Sequence, residues 1–415
     1  TQRFAKSSGT TNDKSKYIPV SPEALTDSHI KAGQDMLCMY FTNKPDSKLF
    51  SGKTLSIGGS LQTHNEYPEI VSGDLSALVV DNVPRFYELC RAPSKAVAFM
   101  DYWEEKLPLM AEEVFNEDIT GIAGVPTWTL VLLHRILEMH GNTQNLLDIW
   151  PNLEIYLHGG VNFDPYMEEF KALIPSDQMT YLNCYNASEG FFAVQSELEA
   201  NDMLLLLDYG IYFEFLPTEH LGEEHPRTYS LDEVELGKNY AMIISTNGGL
   251  WRYNIGDTIC FTSKDPYKIR ITGRTKHFIN AFGEELMVDN AEKAIAKAAL
   301  HTQAVVDNYT AAPIYFEGNK RGGHEWLIEF KQPPADIHSF TEIMDQKMQE
   351  LNSDYEAKRR GDLALGFPTV RVLPNGTFHH WMKKRGKLGG QNKVPRLANE
   401  RKYVEDILDM LKVRG

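Results

Sequence analysis

The sequence predicts an α/β protein with a large N-terminal domain of mixed sheets and helices and a smaller α+β C-terminal domain. Three observations carry this. Helical and strand periods alternate through about residue 200, with glycine-rich turns where strands end, as in a largely parallel sheet. From Met203 to Ile271 the pattern turns β-rich, and after about Thr275 a shorter helix-and-strand unit begins. The 415 residues also suit two or three domains at ~100–200 residues each. The boundary is placed at Thr275, giving domains 1–274 and 275–415.

In chain order, Ser21-Pro22 is a cap followed by a first-position proline, and opens a helix expected to reach about Phe41. Ser94 caps a second helix, with Val97, Met100, Leu107 and Met110 on its apolar face and a break expected at Pro108. Pro126 opens a third, where Leu130, Leu133 and Leu137 recur at helical spacing. Strands are expected from Leu153 to Leu157, before Gly159-Gly160, and from Met179 to Tyr185, before Ser188-Glu189-Gly190. Tyr240 to Ser245 and Leu250 to Phe261 form a hairpin-like pair about the Asn247-Gly248 turn. The C-terminal unit has a helix from Val288 to Ala299, strands near Ala304 to Tyr309 and Glu325 to Phe330, and one helix from Ala335 to Tyr355. Ligand sites in such folds collect at the carboxyl ends of parallel strands.

Composition excludes several function classes. The apolar runs at Thr129 to Leu133 and Met203 to Leu207 fall well short of the ~20 residues of a membrane span, so no membrane partner is expected. No basic-then-apolar secretory pattern stands at the start, and the four cysteines form no CxxC pair, so a reduced cytoplasmic setting is expected. The chain opens at Thr1 directly in a Ser/Gly/Thr-rich stretch of the kind expected inside a domain, so part of an N-terminal domain is expected to be absent from it. A net charge of −15 argues against a nucleic-acid partner. Lys383 to Lys402, however, carries eight basic residues against Glu400 alone, which suits a solvated face, a local nucleic-acid patch or a site for a small anionic substrate.

Three constellations carry chemistry. Ser7, Ser8, Gly9, Thr10 and Thr11, followed by Lys14 and Lys16, offer hydroxyls, a flexible backbone and cations to phosphate oxygens. The Gly-Lys-Ser/Thr ending of a P-loop is missing, and alone this stretch also suits a solvated loop. Tyr185-Asn186-Ala187-Ser188-Glu189-Gly190 sets a ring, a hydroxyl and a carboxylate at one strand end, where Glu189 could bind Mg²⁺. In Arg252-Tyr253-Asn254-Ile255-Gly256-Asp257 the aspartate could accept from ribose hydroxyls. Each has a plainer reading, Tyr185 as core aromatic and Asp257 as turn former.

Taken in order, and followed by Gly273-Arg274-Thr275-Lys276, these motifs resemble the adenylate-forming acyl-activating enzymes. Within them the chain is similar to the Gretchen Hagen family of acyl-acid amido synthetases, known from auxin-responsive promoters, and to its bacterial branch. The closing Gln391-Asn392-Lys393-Val394-Pro395-Arg396 fits the family's Q-x-K-x-P-R. Asn12, where a glycine is common, and Asn254, where an arginine is common, are mild departures.

The resemblance implies two half-reactions: a carboxylic acid attacks ATP to give acyl-AMP and pyrophosphate, and an amine, usually an amino acid, then displaces AMP. It further implies that Ser7 to Thr11 and Lys16 hold phosphates, that Gly159 and Gly160 line the adenine, and that Tyr185 flanks the base. Ser188 touches phosphate, Glu189 binds Mg²⁺, Asp257 holds the ribose, and Lys393 stabilises charge at the α-phosphate. The small domain is expected to turn about a hinge near Thr275 and Lys276 between half-reactions. A coenzyme A ligase and a non-catalytic ligand-binding relative share the same features. Gly121 to Trp128, with the helix to Met139, suits either an acyl pocket or plain core. His158 suits either contact with the acyl carboxylate or a structural role, and His379-His380 reads as surface.

Overall fold

A computed structural model describes residues 1–7, 16–141, 143, 145–275, 278–316, 321–362, 364–385 and 394–412. They fall into two compact units, one of Thr1–Ser7 with Lys16–Thr275 and one containing the described residues after Thr275.

The first unit begins with β1 (Arg3–Ser7) and β2 (Lys16–Pro19). The Ser21 hydroxyl then accepts from the Ala24 amide at 3.0 Å, and the helix it starts winds as a π-helix over Ala24–Ile30 before continuing as α1 (Lys31–Asn43). Next come β3 (Lys53–Ser56), β4 (Leu61–Thr63), β5 (Val71–Gly73), α2 (Leu75–Asn82) and β6 (Arg91–Ala92). The helix–strand alternation follows: α3 (Lys95–Ala98), α4 (Trp103–Phe115), β7 (Ile119–Ala123), α5 (Pro126–His140), β8 (Ile155–Gly159), α6 (Met167–Leu173) and β9 (Thr180–Ala187). The β-rich stretch supplies β10 (Gly190–Val194), β11 (Met203–Leu205), β12 (Ile211–Pro217), β13 (Asn239–Thr246), β14 (Tyr253–Lys264) and β15 (Tyr267–Arg274).

Among the described residues most of these strands join one eleven-stranded sheet, in the order β12-β13-β14-β15-β11-β10-β9-β8-β7-β3-β6. From β6 to β9 every pairing is parallel, and from β9 to β12 every pairing is antiparallel. The change of direction falls at the β9–β10 hairpin. The antiparallel half curls over its own apolar face: Phe192 of β10 and Phe213 of β12 lie 6.2 Å apart, although four strands stand between them in the sheet. The α/β expectation therefore holds, and Pro126 opens α5 as read. The expectation for the helix begun at Ser94 does not hold. Ser94 caps only α3, and Pro108 lies inside α4 rather than breaking it. The ~3 kcal/mol a helical proline costs is outweighed by burying Leu107, Met110, Ala111 and Val114, at roughly 1–3 kcal/mol for each large side chain.

The second unit begins with the hairpin of β16 (Phe278–Ile279) and β17 (Leu286–Met287), then α7 (Val288–Thr302). A three-stranded sheet follows from β18 (Val305–Ile314), β19 (Gly323–Gln332) and, after α8 (Ile337–Leu351) and α9 (Ser353–Arg359), β20 (Thr369–Leu373). The chain continues into α10 (Thr377–Lys384) and α11 (Lys402–Lys412). β19 is buried on both faces. Trp326, Ile328 and Phe330 meet α7 and α8, whereas Leu327 meets α10 and α11. The single helix expected from Ala335 to Tyr355 is two, because the Asn352 side chain accepts from the amides of Asp354 (3.0 Å) and Tyr355 (2.9 Å) and starts a new one.

Much of the basic segment serves this unit's own folding. Arg401 pairs with the buried Glu325 at 2.6 Å, Arg396 stacks on Tyr309, and Arg385 lies over Trp381 and Tyr403. Three of its eight charges are thus engaged in packing within the unit.

Candidate active site

Because β3, β7, β8 and β9 run parallel, their carboxyl ends lie along one edge, where the chain places Gly58-Gly59, Gly124, Gly159-Gly160 and Ser188-Glu189. Gly159 is required by close approach: a Cβ there would stand 2.5 Å from the Cys184 carbonyl oxygen of β9. Gly160 adopts φ +82°, the left-handed region. Ser188 and Glu189 form the two-residue connection between β9 and β10, closed by the Ala187–Gly190 pair. Both are half-buried.

The second and third motifs meet at Asp257. This buried carboxylate takes the Arg274 Nε on Oδ1 at 2.7 Å and the Tyr185 hydroxyl on Oδ2 at 2.6 Å. The Tyr185 ring lies in the apolar cluster, edge-on to Phe192, so what this residue offers the site is its hydroxyl. Burial above all, then the Asp257 charge, with a smaller push from Glu189, holds that hydroxyl's pKa well above its usual value and keeps it a donor. An ionised carboxylate offers about four lone-pair sites in all, the acceptor chemistry that ribose hydroxyls need.

Lys16, the last residue of the first motif, reaches the third: its Nζ lies 3.4 Å from the Tyr253 hydroxyl. Ser7 is its register partner across β1 and β2. Ser8, Gly9, Thr10, Thr11 and Lys393 lie outside the described residues, as does the side chain of Ser7. Among the described residues no group of three or more His, Cys, Asp or Glu could cage a metal ion. Glu189 instead suits the way Mg²⁺ is commonly bound, through one or two carboxylates and the substrate's phosphates.

Toward β3 and β7 the same edge is aromatic. Trp128, in the first turn of α5, stacks on Trp103 of α4 at 4.0 Å with the rings 3° from parallel. Beneath them Lys106 is 1% exposed, its ammonium over Trp103 and hydrogen-bonded to the carbonyls of Gly58 (2.6 Å) and Gly59 (3.2 Å). Burial draws its pKa down to about 8. His158 stacks on Phe163 at 4.0 Å.

Residues 1–179 match the GH3 family N-terminal domain, 204–274 the GH3 family central domain and 289–402 the GH3 family C-terminal domain. The chain belongs to the GH3 family. Its curated relatives include two indole-3-acetic acid-amido synthetases of Arabidopsis thaliana. GH3.3 is 26% identical over 271 residues, 60% of this chain and 44% of that protein. GH3.4 is 28% identical over 276 residues, 60% of this chain and 45% of that protein. The chain thus spans less than half the length of these two relatives. Among solved structures, the AtGH3.15 acyl acid amido synthetase in complex with 2,4-DB superposes with a TM-score of 0.57 at 16% identity, over 98% of this chain and 81% of that one. A 2-hydroxyisobutyryl-CoA ligase in complex with 2-HIB-AMP and CoA gives 0.55 at 12% identity, over 99% and 76%. Both show the adenylate-forming fold.

In this GH3 chain, reasoning from sequence missed three residues: Arg274 as the partner of Asp257, Lys106 under the tryptophan pair, and His29, whose Nδ1 lies 3.2 Å from the Asn186 Oδ1 of the second motif. The first left a usable signal. Counting outward from the Asp265-Pro266 turn of the β14–β15 hairpin sets Asp257 opposite Arg274. Lys106 and His29 left none, since their partners lie 47 or 48 and 157 residues away.

Proposed function

We propose that this GH3 protein is an acyl acid amido synthetase. It activates a carboxylic acid with ATP as acyl-AMP, releasing pyrophosphate, and then passes the acyl group to the amine of an amino acid, releasing AMP. The observation that carries this reading is the convergence of separate motifs: Tyr185 bonded to Asp257, Lys16 reaching Tyr253, and Gly159 paired with Cys184 on the strand that ends in the Ser188–Glu189 turn. In it Asp257, held by Arg274 and Tyr185, receives the ribose hydroxyls, and Gly159 and Gly160 line the adenine. Ser188, Lys16 and the Ser7–Thr11 stretch hold phosphate oxygens. Glu189 holds Mg²⁺, which supplies neutralisation of charge on the phosphates. Lys393 is assigned the charge at the α-phosphate from its place in the closing motif. Gly124 and Trp128 wall the apolar body of the acid. Four free cysteines suit a reduced cytoplasmic setting.

The test is acid-dependent exchange of labelled pyrophosphate into ATP across a panel of carboxylic acids, followed by mass analysis of the product formed from an amino acid mixture with coenzyme A present. Exchange and an amide product are expected. A thioester product moves the protein to the coenzyme A ligases, tight ATP binding without exchange makes it a non-catalytic relative, and neither exchange nor ATP binding by calorimetry rejects adenylation.

A further inference from the structure

The π-helix Ala24–Ile30 presents two consecutive buried polar residues, Ser28 (1% exposed) and His29 (3% exposed), to the β9–β10 hairpin. The Ser28 hydroxyl accepts the Phe191 amide at 3.2 Å, and the His29 Nδ1 faces the Asn186 Oδ1 at 3.2 Å. Asn186 and Phe191 are register partners, one pair behind Ala187 and Gly190, which close the Ser188–Glu189 turn. The grip is thus on both strands, at one level, directly behind the turn.

Three features set this arrangement apart from ordinary packing. The ladder between β9 and β10 slips at Phe191/Ala193, and the hydroxyl of Ser28 takes up the Phe191 amide at that slip. The i→i+5 pattern of a π-helix is rare, occurs mostly as single turns and concentrates at functional sites. It also fits more residues into each turn, so neighbouring side chains diverge less than in an α-helix and two in sequence can address one target. Finally, burial lowers the His29 pKa to about 4, so the ring is neutral and donates Nδ1–H to Asn186. An apolar residue would fill this core position at lower desolvation cost, whereas a buried polar pair, once satisfied, fixes one geometry.

We propose that Ser28 and His29 are positioning residues of adenylation, which hold the Ser188–Glu189 turn in place by gripping the strand pair behind it. The inference rests on the functional reading above, in which Glu189 holds the metal and Ser188 a phosphate. Outer groups that orient a metal's ligands typically change metal affinity or activity by ~10–100-fold when replaced, and that is the effect assigned here.

The test uses the full-length protein with Ser28→Ala, His29→Phe and, as a rescue, His29→Asn, which restores an N–H donor near the position of Nδ1. Three quantities are measured: hydrogen exchange of the Phe191 and Gly190 amides, ATP affinity by calorimetry with Mg²⁺ and with metal chelated, and the kcat and KM of pyrophosphate exchange. Expected are faster amide exchange in Ser28→Ala, metal-free ATP affinity within about twofold of wild type, and a gain from Mg²⁺ and a kcat lowered by ~10–100-fold in Ser28→Ala and His29→Phe. His29→Asn recovers most of both. The role is overturned if kcat and the Mg²⁺ gain stay within twofold of wild type, or if metal-free affinity falls in step with them, which marks general damage. Failure of the wild type to exchange pyrophosphate with any acid overturns the functional reading, and this one with it, and is distinct from an active wild type with unaffected variants.

Discussion

Burial holds the His158 imidazole neutral, its pKa pushed down to about 3, while its Nδ1 finds no hydrogen-bond partner among the described residues. An unmade buried hydrogen bond costs about 1–3 kcal/mol, so replacing this ring with phenyl, which keeps the stack on Phe163, is expected to leave stability at pH 7 unchanged or higher. The pH dependence separates the two proteins further. Folding opposes protonation of His158, so the unfolded chain binds more protons between the ordinary value of 6.5 and about 3. Its contribution is therefore complete above pH 6.5 and is lost as the pH falls through that window, by at most about 1.4 kcal/mol per pH unit. Urea midpoints from pH 4 to 7 should fall less steeply in His158→Phe than in wild type, and equal slopes reject the assignment. The acid KM of the same variant settles the two readings of this residue: a rise places the ring against the substrate acid, and no change leaves it in the core.

At the level of elements, the site depends on how closely β8 and β9 run. Gly159→Ala sets a methyl 2.5 Å from the Cys184 carbonyl oxygen, whereas Gly160→Ala meets only Val125 at 3.7 Å and bears the cost of φ +82°. Overpacking a backbone contact costs about 1–3 kcal/mol, and a left-handed alanine roughly 1–2 kcal/mol. Similar losses of stability are thus expected by denaturant melts, but only Gly159→Ala pushes β9 and its turn aside. ATP affinity should drop at least tenfold in Gly159→Ala and markedly less in Gly160→Ala, and the reverse order would disprove the account. Elements marked by local chemistry were legible in the sequence. Ser21 caps its helix, Pro126 opens α5, and the tyrosine-to-glycine run around Ser188 falls where β9 ends. The four-stranded sheet of β1, β2, β4 and β5 was not, since segments such as Leu-Gln-Thr and Val-Ser-Gly are too short and polar to show a period. The same limit governs the site. The motifs are contiguous and could be read, but the contacts of Lys106 and His29 are made by folding across the chain, and no local pattern encodes them.

On the scale of the whole molecule, the acidic chain concentrates its cations in residues 383–402, and packing within the second unit engages Arg385, Arg396 and Arg401. Lys393 is the member of that group assigned to chemistry. Lys393→Ala should lower acyl-AMP formation by a few orders of magnitude, as for loss of one preorganised charge worth roughly 3–4 kcal/mol in the transition state. Aminolysis of acyl-AMP supplied from outside should continue at nearly the wild-type rate. Equal loss in both steps would point to damage of the second unit, and no loss in either to a solvated face. The strand order also bears on how the protein is made. β15 fills the gap between β11 and β14 although it is the last strand of its unit in sequence. As the chain leaves the ribosome, then, β11 has an open edge until residues 267–274 emerge, and the parallel half waits beside an unfinished neighbour. Exposed strand edges invite pairing with other chains. Nascent chains arrested before Tyr267 should therefore aggregate or recruit chaperones, whereas chains arrested far enough downstream for Arg274 to clear the exit tunnel should resist proteolysis, because synthesis has by then delivered the strand that closes the sheet.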